Sequence, residues 1–338
     1  MPELRYDLVK KTWVSVAGDR ALRPNDFPLA RKNLEAAVSL FCPFCEGNEQ
    51  YTPPELAVRR NAPGEPNTPG WDLRVIPNKY AAFELTGEFV EQRNGMYRSC
   101  TGLGTHEVVV ESAQHDLEFH QFDRARIHML IKVLVERYRV LAQDPRIRYI
   151  QIYKNRGMVA GASLEHSHSQ IVALPLVTRE NQGMPDYYEA NGRCLLCDMM
   201  EQEFKRPERL IFEGEHFIIM CPFAPRFPYE SWIVPRDHAE NFGDMTPGEM
   251  EELSSLLYHY SRAVIDGLSN PAFNYVVNTA PVNSGPTPGY HWYWEIVPRL
   301  LIESAVEVAS GIHMNPVAPE LAAPMLREAL LAAMNAGV

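Results

Sequence analysis

The chain has 338 residues, with 32 basic and 43 acidic side chains for a formal net charge of −11, and 46% of it is hydrophobic. That length buries a full core without covalent staples and suggests about two domains. The acidic balance excludes a general nucleic-acid binder, whose phosphate contacts need Lys and Arg in excess, but leaves room for a small phosphorylated ligand in one pocket.

The first residues, Met1-Pro-Glu-Leu-Arg-Tyr-Asp7, lack the basic start and apolar run of a signal peptide. No apolar stretch approaches the roughly 18 residues of a membrane span. A cytoplasmic protein with no membrane partner is expected. Residues 1–60 read as irregular, apart from an extended stretch over 12–16. Strands are expected over 72–77, stopping at Pro77, and over 106–111. Ile127, Leu130, Ile131, Leu134, Val135 and Tyr138 form the apolar stripe of a helix over 122–142. Two more strands follow, over 149–153 and 166–173, separated by a Gly/Ala/Ser-rich turn at 157–163.

Residues 175–193 are polar and turn-rich, as a connector would be, and then the pattern restarts. Strands are expected at 217–220 and 232–235. Thr246-Pro-Gly-Glu249 opens a helix with a capping box and proline at its first position. Strands over 273–278 and 291–297 and an Ala/Leu-rich helix over 319–336 complete the chain. His238 follows His115 by 123 positions, His291 follows His166 by 125, and the strands near Tyr149 and Phe273 differ by 124. A near-constant offset indicates one duplicated α+β unit, with halves at 1–178 and 179–338.

Four of the six cysteines form two pairs, Cys42-Pro-Phe-Cys45 and Cys194-Leu-Leu-Cys197. Without a secretory context a disulfide framework is not expected, which leaves metal binding, a redox dithiol or plain thiols. Histidines at matching places in both halves favour metal: His115 and His166 with Cys42 and Cys45, His238 and His291 with Cys194 and Cys197. Each set has the four soft ligands of a tetrahedral zinc site. Cys100 and Cys221 have no partner at useful spacing.

A second constellation is Gly161-Ala-Ser163-Leu-Glu-His166-Ser-His168-Ser-Gln170. On a strand, period 2 puts His166, His168, Gln170 and Val172 on one face. Two imidazoles and an amide pack poorly, so a chemical role is the better reading than an exposed edge. Neutral imidazole attacks phosphorus and leaves again, so it can carry a nucleotidyl group. Gln170, Ser163 and the backbone amides of 161–163 are candidate donors to the phosphoryl oxygens. Glutamine cannot move a proton at neutral pH, which favours transfer to a second substrate over hydrolysis. The second half reads His291-Trp-Tyr293-Trp-Glu295, with Tyr293 in place of His168.

With these residues in view, His166-Ser-His168-Ser-Gln170 resembles the H-x-H-x-Q form of the histidine-triad superfamily. The whole chain resembles the galactose-1-phosphate uridylyltransferase family. Asp19-Arg20-Ala-Leu-Arg23-Pro24, Cys42-Pro-Phe-Cys45, Val75-Ile-Pro-Asn78-Lys-Tyr80, Gly104-Thr-His-Glu-Val and Asn155-Arg-Gly carry the likeness. It implies a duplicated histidine-triad-like α+β fold of antiparallel sheets with packed helices. It also implies a ping-pong reaction in which His168 attacks the α-phosphorus of a nucleoside diphosphate sugar. A sugar 1-phosphate leaves, and a second phosphate-bearing acceptor takes the nucleotidyl group. By the same likeness Gln170 and Ser163 hold the phosphoryl oxygens, and His166 is a zinc ligand with Cys42, Cys45 and His115. Arg20 and Arg23 reach phosphates across a homodimer interface, Asn78, Asn155 and Gly161 contact the nucleotide, and Glu307 lies in a sugar-associated loop.

The first expectation is a UDP-glucose–hexose-1-phosphate uridylyltransferase of galactose metabolism, with two zinc sites of which the second could hold iron. Three features depart from that pattern: Ser167 and Ser169 where H-P-H-G-Q is common, a Cys/His second metal set, and no Lys-rich sugar loop near 309–316. They resemble the ADP-glucose phosphorylase branch, which transfers AMP from ADP-glucose to inorganic phosphate. A non-catalytic zinc-stabilised nucleotide-binding protein is the remaining alternative.

Overall fold

The computed structural model describes residues 3–16, 41–178 and 181–336. It opens with an antiparallel hairpin, β1 (Glu3–Asp7) and β2 (Thr12–Val16). Strands β3 (Ala57–Arg59) and β4 (Leu73–Pro77) follow, then the exposed hairpin β5 (Glu91–Asn94) and β6 (Tyr97–Cys100), then β7 (Thr105–Val110). Helix α1 (Arg124–Ala142) leads to β8 (Tyr149–Arg156) and β9 (His168–Leu174). The second part comprises α2 (Gly183–Asn191), α3 (Leu195–Lys205), β10 (Leu210–Glu213), β11 (Phe217–Met220) and β12 (Ser231–Pro235). It continues through α4 (Pro247–Gly267), β13 (Phe273–Asn278), β14 (Tyr293–Pro298), α5 (Ala305–Ser310), β15 (His313–Asn315) and α6 (Pro319–Ala336).

Ten of these strands make one sheet in the order β10-β11-β12-β14-β13-β8-β9-β7-β4-β3. Read outward from the central β8–β13 pair, each side repeats one sequence of strands. Each side also inserts a long helix, α1 or α4, between its third and fourth strands. Every pairing in this sheet is antiparallel. The expected α+β class of antiparallel sheets with packed helices is the fold observed.

Alternation decides which face each side chain meets. Val75, Val109, Ile152, Ile171, Tyr275 and Trp294 point to the helical side and join the main core with α1, α4 and α6. The Thr246 hydroxyl accepts from the Glu249 amide while the Glu249 carboxylate accepts from the Thr246 amide, so the anticipated capping box does open α4. The opposite face carries two smaller apolar clusters. Trp71, Ile76, Val108 and Val110 lie toward the β3 end, and Ile218, Met220, Trp232 and Val234 lie under α2 and α3. Between them runs a polar row: His168 and Gln170 on β9, Tyr153 and Asn155 on β8, Asn274 on β13.

The loop between β1 and β2 reaches the second half of this face, where Val9 is fully buried with Met184 and Trp232. The Val9 carbonyl accepts from the Gly183 amide at 3.1 Å, and any Cβ at Gly183 would collide with the Leu8 carbonyl.

Some expectations shift. The strands anticipated from His166 and His291 begin at His168 and Tyr293, because both histidines leave the ladder to bond backbone carbonyls. His166 therefore does not share the strand face of His168 and Gln170. The supposed connector contains α2, which ends on Gly192 in the left-handed conformation. The irregular first 60 residues include β1 and β3.

Candidate active site and metal centres

Cys42 and Cys45 sit on a tight turn closed by the Cys45 amide on the Cys42 carbonyl, 3.3 Å, with the Asn48 side chain bonding the same carbonyl at 2.8 Å. Cys42 Sγ lies 3.5 Å from His166 Nδ1, and Cys45 Sγ lies 3.7 Å from that nitrogen and 3.3 Å from His115 Nδ1. In the second half Cys194 caps α3 and Cys197 stands in its first turn. Their sulfurs lie 3.7 and 3.5 Å from His291 Nδ1, and Cys197 Sγ is 3.7 Å from His238 Nδ1. All eight predicted ligands thus gather into two Cys2His2 groups, within each of which the donor atoms lie inside 4.8 Å of one another.

A tetrahedral zinc with Zn–S near 2.3 Å and Zn–N near 2.1 Å separates S from N by about 3.6 Å. Both groups match that spacing. The far ring nitrogens are fixed as well, since His166 Nε2 donates to the Ser112 carbonyl at 2.7 Å and His291 Nε2 to the Pro235 carbonyl at 3.0 Å. Such a bond selects the tautomer that turns Nδ1 toward a metal. Burial, opposed by the Ser112 bond, pushes the His166 pKa down to about 4, and the neutral imidazole is the ligating form. In a third group, Glu215, His216 and Glu252, the first residue is exposed and the other two are half-buried. There Glu252 accepts from the His216 and Phe217 amides at 2.9 and 3.1 Å, an ordinary structural use.

Next to the first group, His168 Nδ1 donates to the His166 carbonyl at 2.8 Å, which leaves Nε2 as the basic nitrogen. The ring is 7% exposed and meets the edge of Phe44 at 5.4 Å between centroids. Burial first, then the Lys154 charge, lower its pKa below the ordinary histidine value. Gln170 Oε1 accepts from His106 Nε2 at 2.7 Å and from the Tyr153 hydroxyl at 3.0 Å. With both donors on Oε1, the Nε2 hydrogens of Gln170 remain to donate elsewhere. Asn78 Nδ2 bonds His106 Nδ1 at 3.2 Å and so holds His106 in that role. His106 and Tyr153 escaped the sequence reading. The signal was the alternation of β7 and β8 in register with Gln170, which a single strand does not reveal.

This arrangement is a neutral, oriented imidazole beside an amide with free donors, backed by a metal-type cluster. The N-terminal-domain profile of galactose-1-phosphate uridyl transferase matches residues 3–178, and the C-terminal-domain profile matches residues 180–320. The chain belongs to the galactose-1-phosphate uridyl transferase family.

Within the family, an ADP-glucose phosphorylase of Arabidopsis thaliana is 36% identical, over 98% of this chain and 93% of the relative. A galactose-1-phosphate uridylyltransferase of Thermotoga maritima is 30% identical over 97% and 98%. The crystal structure of the Arabidopsis ADP-glucose phosphorylase with bound ADP-glucose superposes with TM-score 0.79 at 35% identity, covering 97% of this chain and 98% of that one.

Of the other residues singled out from the family pattern, Asn155 stands in the same polar row as His168 and Gln170. Asn155 Nδ2 bonds the Gly161 carbonyl at 3.4 Å while Asn274 bonds Asn155 Oδ1 at 2.8 Å, so both asparagines brace the turn after β8. Gly161 has φ +88°, which favours glycine there. Ser163 is exposed on that turn, and among the described residues no side-chain hydrogen bond joins it to His168 or Gln170. The Glu307 carboxylate caps its own helix through the Ser304 amide at 2.8 Å. Arg20 and Arg23 lie outside the described residues. Of the two bystander cysteines, Cys100 is exposed and Cys221 buried. No helix among the described residues is long and apolar enough to cross a membrane.

Proposed function

We propose that the chain is a nucleotidylyltransferase in which His168 Nε2 attacks the α-phosphorus of a nucleoside diphosphate sugar. The bond from that phosphorus to the bridging oxygen breaks, and the sugar 1-phosphate leaves with the electron pair. The acceptor's phosphate oxygen then attacks the same phosphorus and frees His168. The observation that carries this reading is the bond from His168 Nδ1 to the His166 carbonyl, 2.8 Å, which presents a neutral nitrogen without needing a proton-accepting partner. Gln170, held by its oxygen end, donates through Nε2 to the charge on the phosphoryl oxygens. Ser163 and the amides of 161–163 are further donors, and Arg20 and Arg23 act on the phosphates across a homodimer interface. Asn78, Asn155, Gly161 and Glu307 complete the proposed substrate contacts.

For the substrate we favour ADP-glucose, with inorganic phosphate as acceptor, so that the products are glucose 1-phosphate and ADP. Support comes from the relative at 36% identity, its structure with ADP-glucose, and Ser167 and Ser169 in the motif. The second reading, UDP-glucose with a hexose 1-phosphate in galactose metabolism, rests on the Thermotoga relative at 30%. Zinc is assigned to both Cys2His2 groups, which when loaded fix the nucleophile strand and its counterpart rather than touch the phosphoryl group. We place the enzyme in the cytoplasm.

The test is product analysis with each sugar nucleotide and each acceptor. Phosphate-dependent formation of ADP from ADP-glucose supports the first reading; turnover only with UDP-glucose and a hexose 1-phosphate replaces it with the second. Metal analysis should give about two zinc per chain, and iron in the second group would correct that assignment.

A further inference from the structure

Ser167, just before β9, and Ser169 on it alternate with His168 and Gln170, and their hydroxyls enter the helical face, which is otherwise lined by Val109, Ile152, Ile171 and Ala173. A buried polar nest receives them. Lys154 Nζ, on β8, donates to Glu111 Oε2 at 2.6 Å, to Ser167 Oγ at 2.9 Å and to the backbone carbonyl of His168 at 3.1 Å. That uses all three ammonium protons. Ser167 Oγ donates to Glu111 Oε2 at 2.6 Å, and Ser169 bonds both Glu111 Oε1 and the Tyr275 hydroxyl. The Glu111 amide donates to the Ser167 carbonyl at 3.2 Å. Lys154 is 2% exposed, and Glu111 and Ser169 are fully buried.

We propose that Lys154, with Glu111 as its counter-ion, is a positioning residue that clamps residues 166–168 from behind and so aims the His168 ring. His168 pairs with Val110 in the final rung between β7 and β9, and before it the backbone pairing is continued by the Glu111 amide on the Ser167 carbonyl. The side chains of Lys154 and Glu111 add bonds at the Ser167 hydroxyl, and Lys154 adds one at the carbonyl of His168. The His168 ring is in turn tied to the His166 carbonyl. A shift of this short segment moves Nε2 relative to the phosphorus. The same contacts account for the two serines, which depart from the more frequent motif. The proposal rests on His168 being the nucleophile.

The test compares Ser167→Ala, Lys154→Arg and the double variant Lys154→Met/Glu111→Gln by rapid quench with ADP-glucose, with melting temperatures alongside. Removing both charges together avoids stranding one of them. The double variant should melt near wild type with KM within about threefold, yet form the nucleotidyl adduct about 10²-fold more slowly, with part of the rate restored in Lys154→Arg. A folded double variant that forms adduct at the wild-type rate overturns the proposal. If the double variant fails to fold, Ser167→Ala decides: a slowed adduct at unchanged KM supports the clamp, and a wild-type rate overturns it. Should wild type form no adduct with ADP-glucose or UDP-glucose, the nucleophile reading fails separately. Nitrogen NMR of the His168 ring then judges the clamp, which requires a single Nδ1-protonated tautomer in wild type and a mixture in Ser167→Ala. An unchanged spectrum overturns it.

Discussion

At the place where β9 carries His168 and Gln170, the topologically equivalent β14 carries Tyr293 and Glu295. The loop between β1 and β2 lies over the second pair. Lys10 Nζ reaches Glu295 at 3.2 Å and stands 5.6 Å from the Tyr293 ring centroid, while Arg226 meets the same carboxylate at 2.6 Å. Tyr293 donates to Asn181 at 2.9 Å, and Asn278 donates to Glu295 at 3.1 Å. The metal-type groups, by contrast, match down to the carbonyl that fixes each histidine. On the proposed function the two halves separate a scaffold from a chemistry. In each half a Cys2His2 group, one of whose histidines stands outside the ladder, precedes the strand, and on the proposed function what stands two residues later decides whether the face reacts or is filled by charge pairs.

The largest expected effect lies at that position. His168→Ala should lower turnover by at least about 10⁴-fold, since a lost covalent nucleophile leaves only binding and electrostatic help. The converse, Tyr293→His, should give no second adduct, because the Lys10 ammonium and the Glu295 network already occupy its face. Two adducts per chain would break the comparison. Gln170→Glu, which puts an anion beside the phosphoryl oxygens, should lower kcat by about 10²- to 10³-fold in steady-state assays.

Cysteine replacement separates scaffold from chemistry. Cys45→Ser and Cys197→Ser should each remove one equivalent of zinc and lower the melting temperature. Only Cys45→Ser should also cut kcat steeply, as its group holds the histidine whose carbonyl orients His168. Equal losses of kcat would show that the second group serves the reaction too. Lys10→Met should cost about 1–3 kcal/mol of stability by denaturant unfolding, through a buried carboxylate deprived of one donor, and leave kcat near wild type. The smallest effect is the pH profile. The pKa of His168 is depressed, so its neutral form persists as pH falls below the usual histidine value near 6.5. The acid limb of kcat/KM should lie below that pH; a limb above it would contradict the burial argument.

Much of this was legible in the sequence where the signal is local. Strands β11 and β13 and helix α6 lie at the expected residues, and the capping box of α4 announced itself in four letters. The metal-type groups were readable because duplication supplied an internal control for each cysteine pair. What escaped depends on register between strands far apart in sequence. Glu111 is 43 residues from Lys154, and Lys10 is 285 residues from Glu295, so neither pair leaves a spacing to detect. Ser167 and Ser169 read as departures from a motif until the polar nest behind them gave each a partner. Helix α2 was hidden by its polar composition, since a short helix under a loop shows little apolar periodicity.

The central claim, that one half reacts and the other does not, is tested most directly by intact mass measurement after incubation with ADP-glucose and, separately, with UDP-glucose, no acceptor being present. The account predicts a gain of one nucleotidyl group per chain, AMP from ADP-glucose, released as ADP on adding phosphate and absent in His168→Ala. An unchanged mass with both sugar nucleotides, or a gain that survives in His168→Ala, would contradict it.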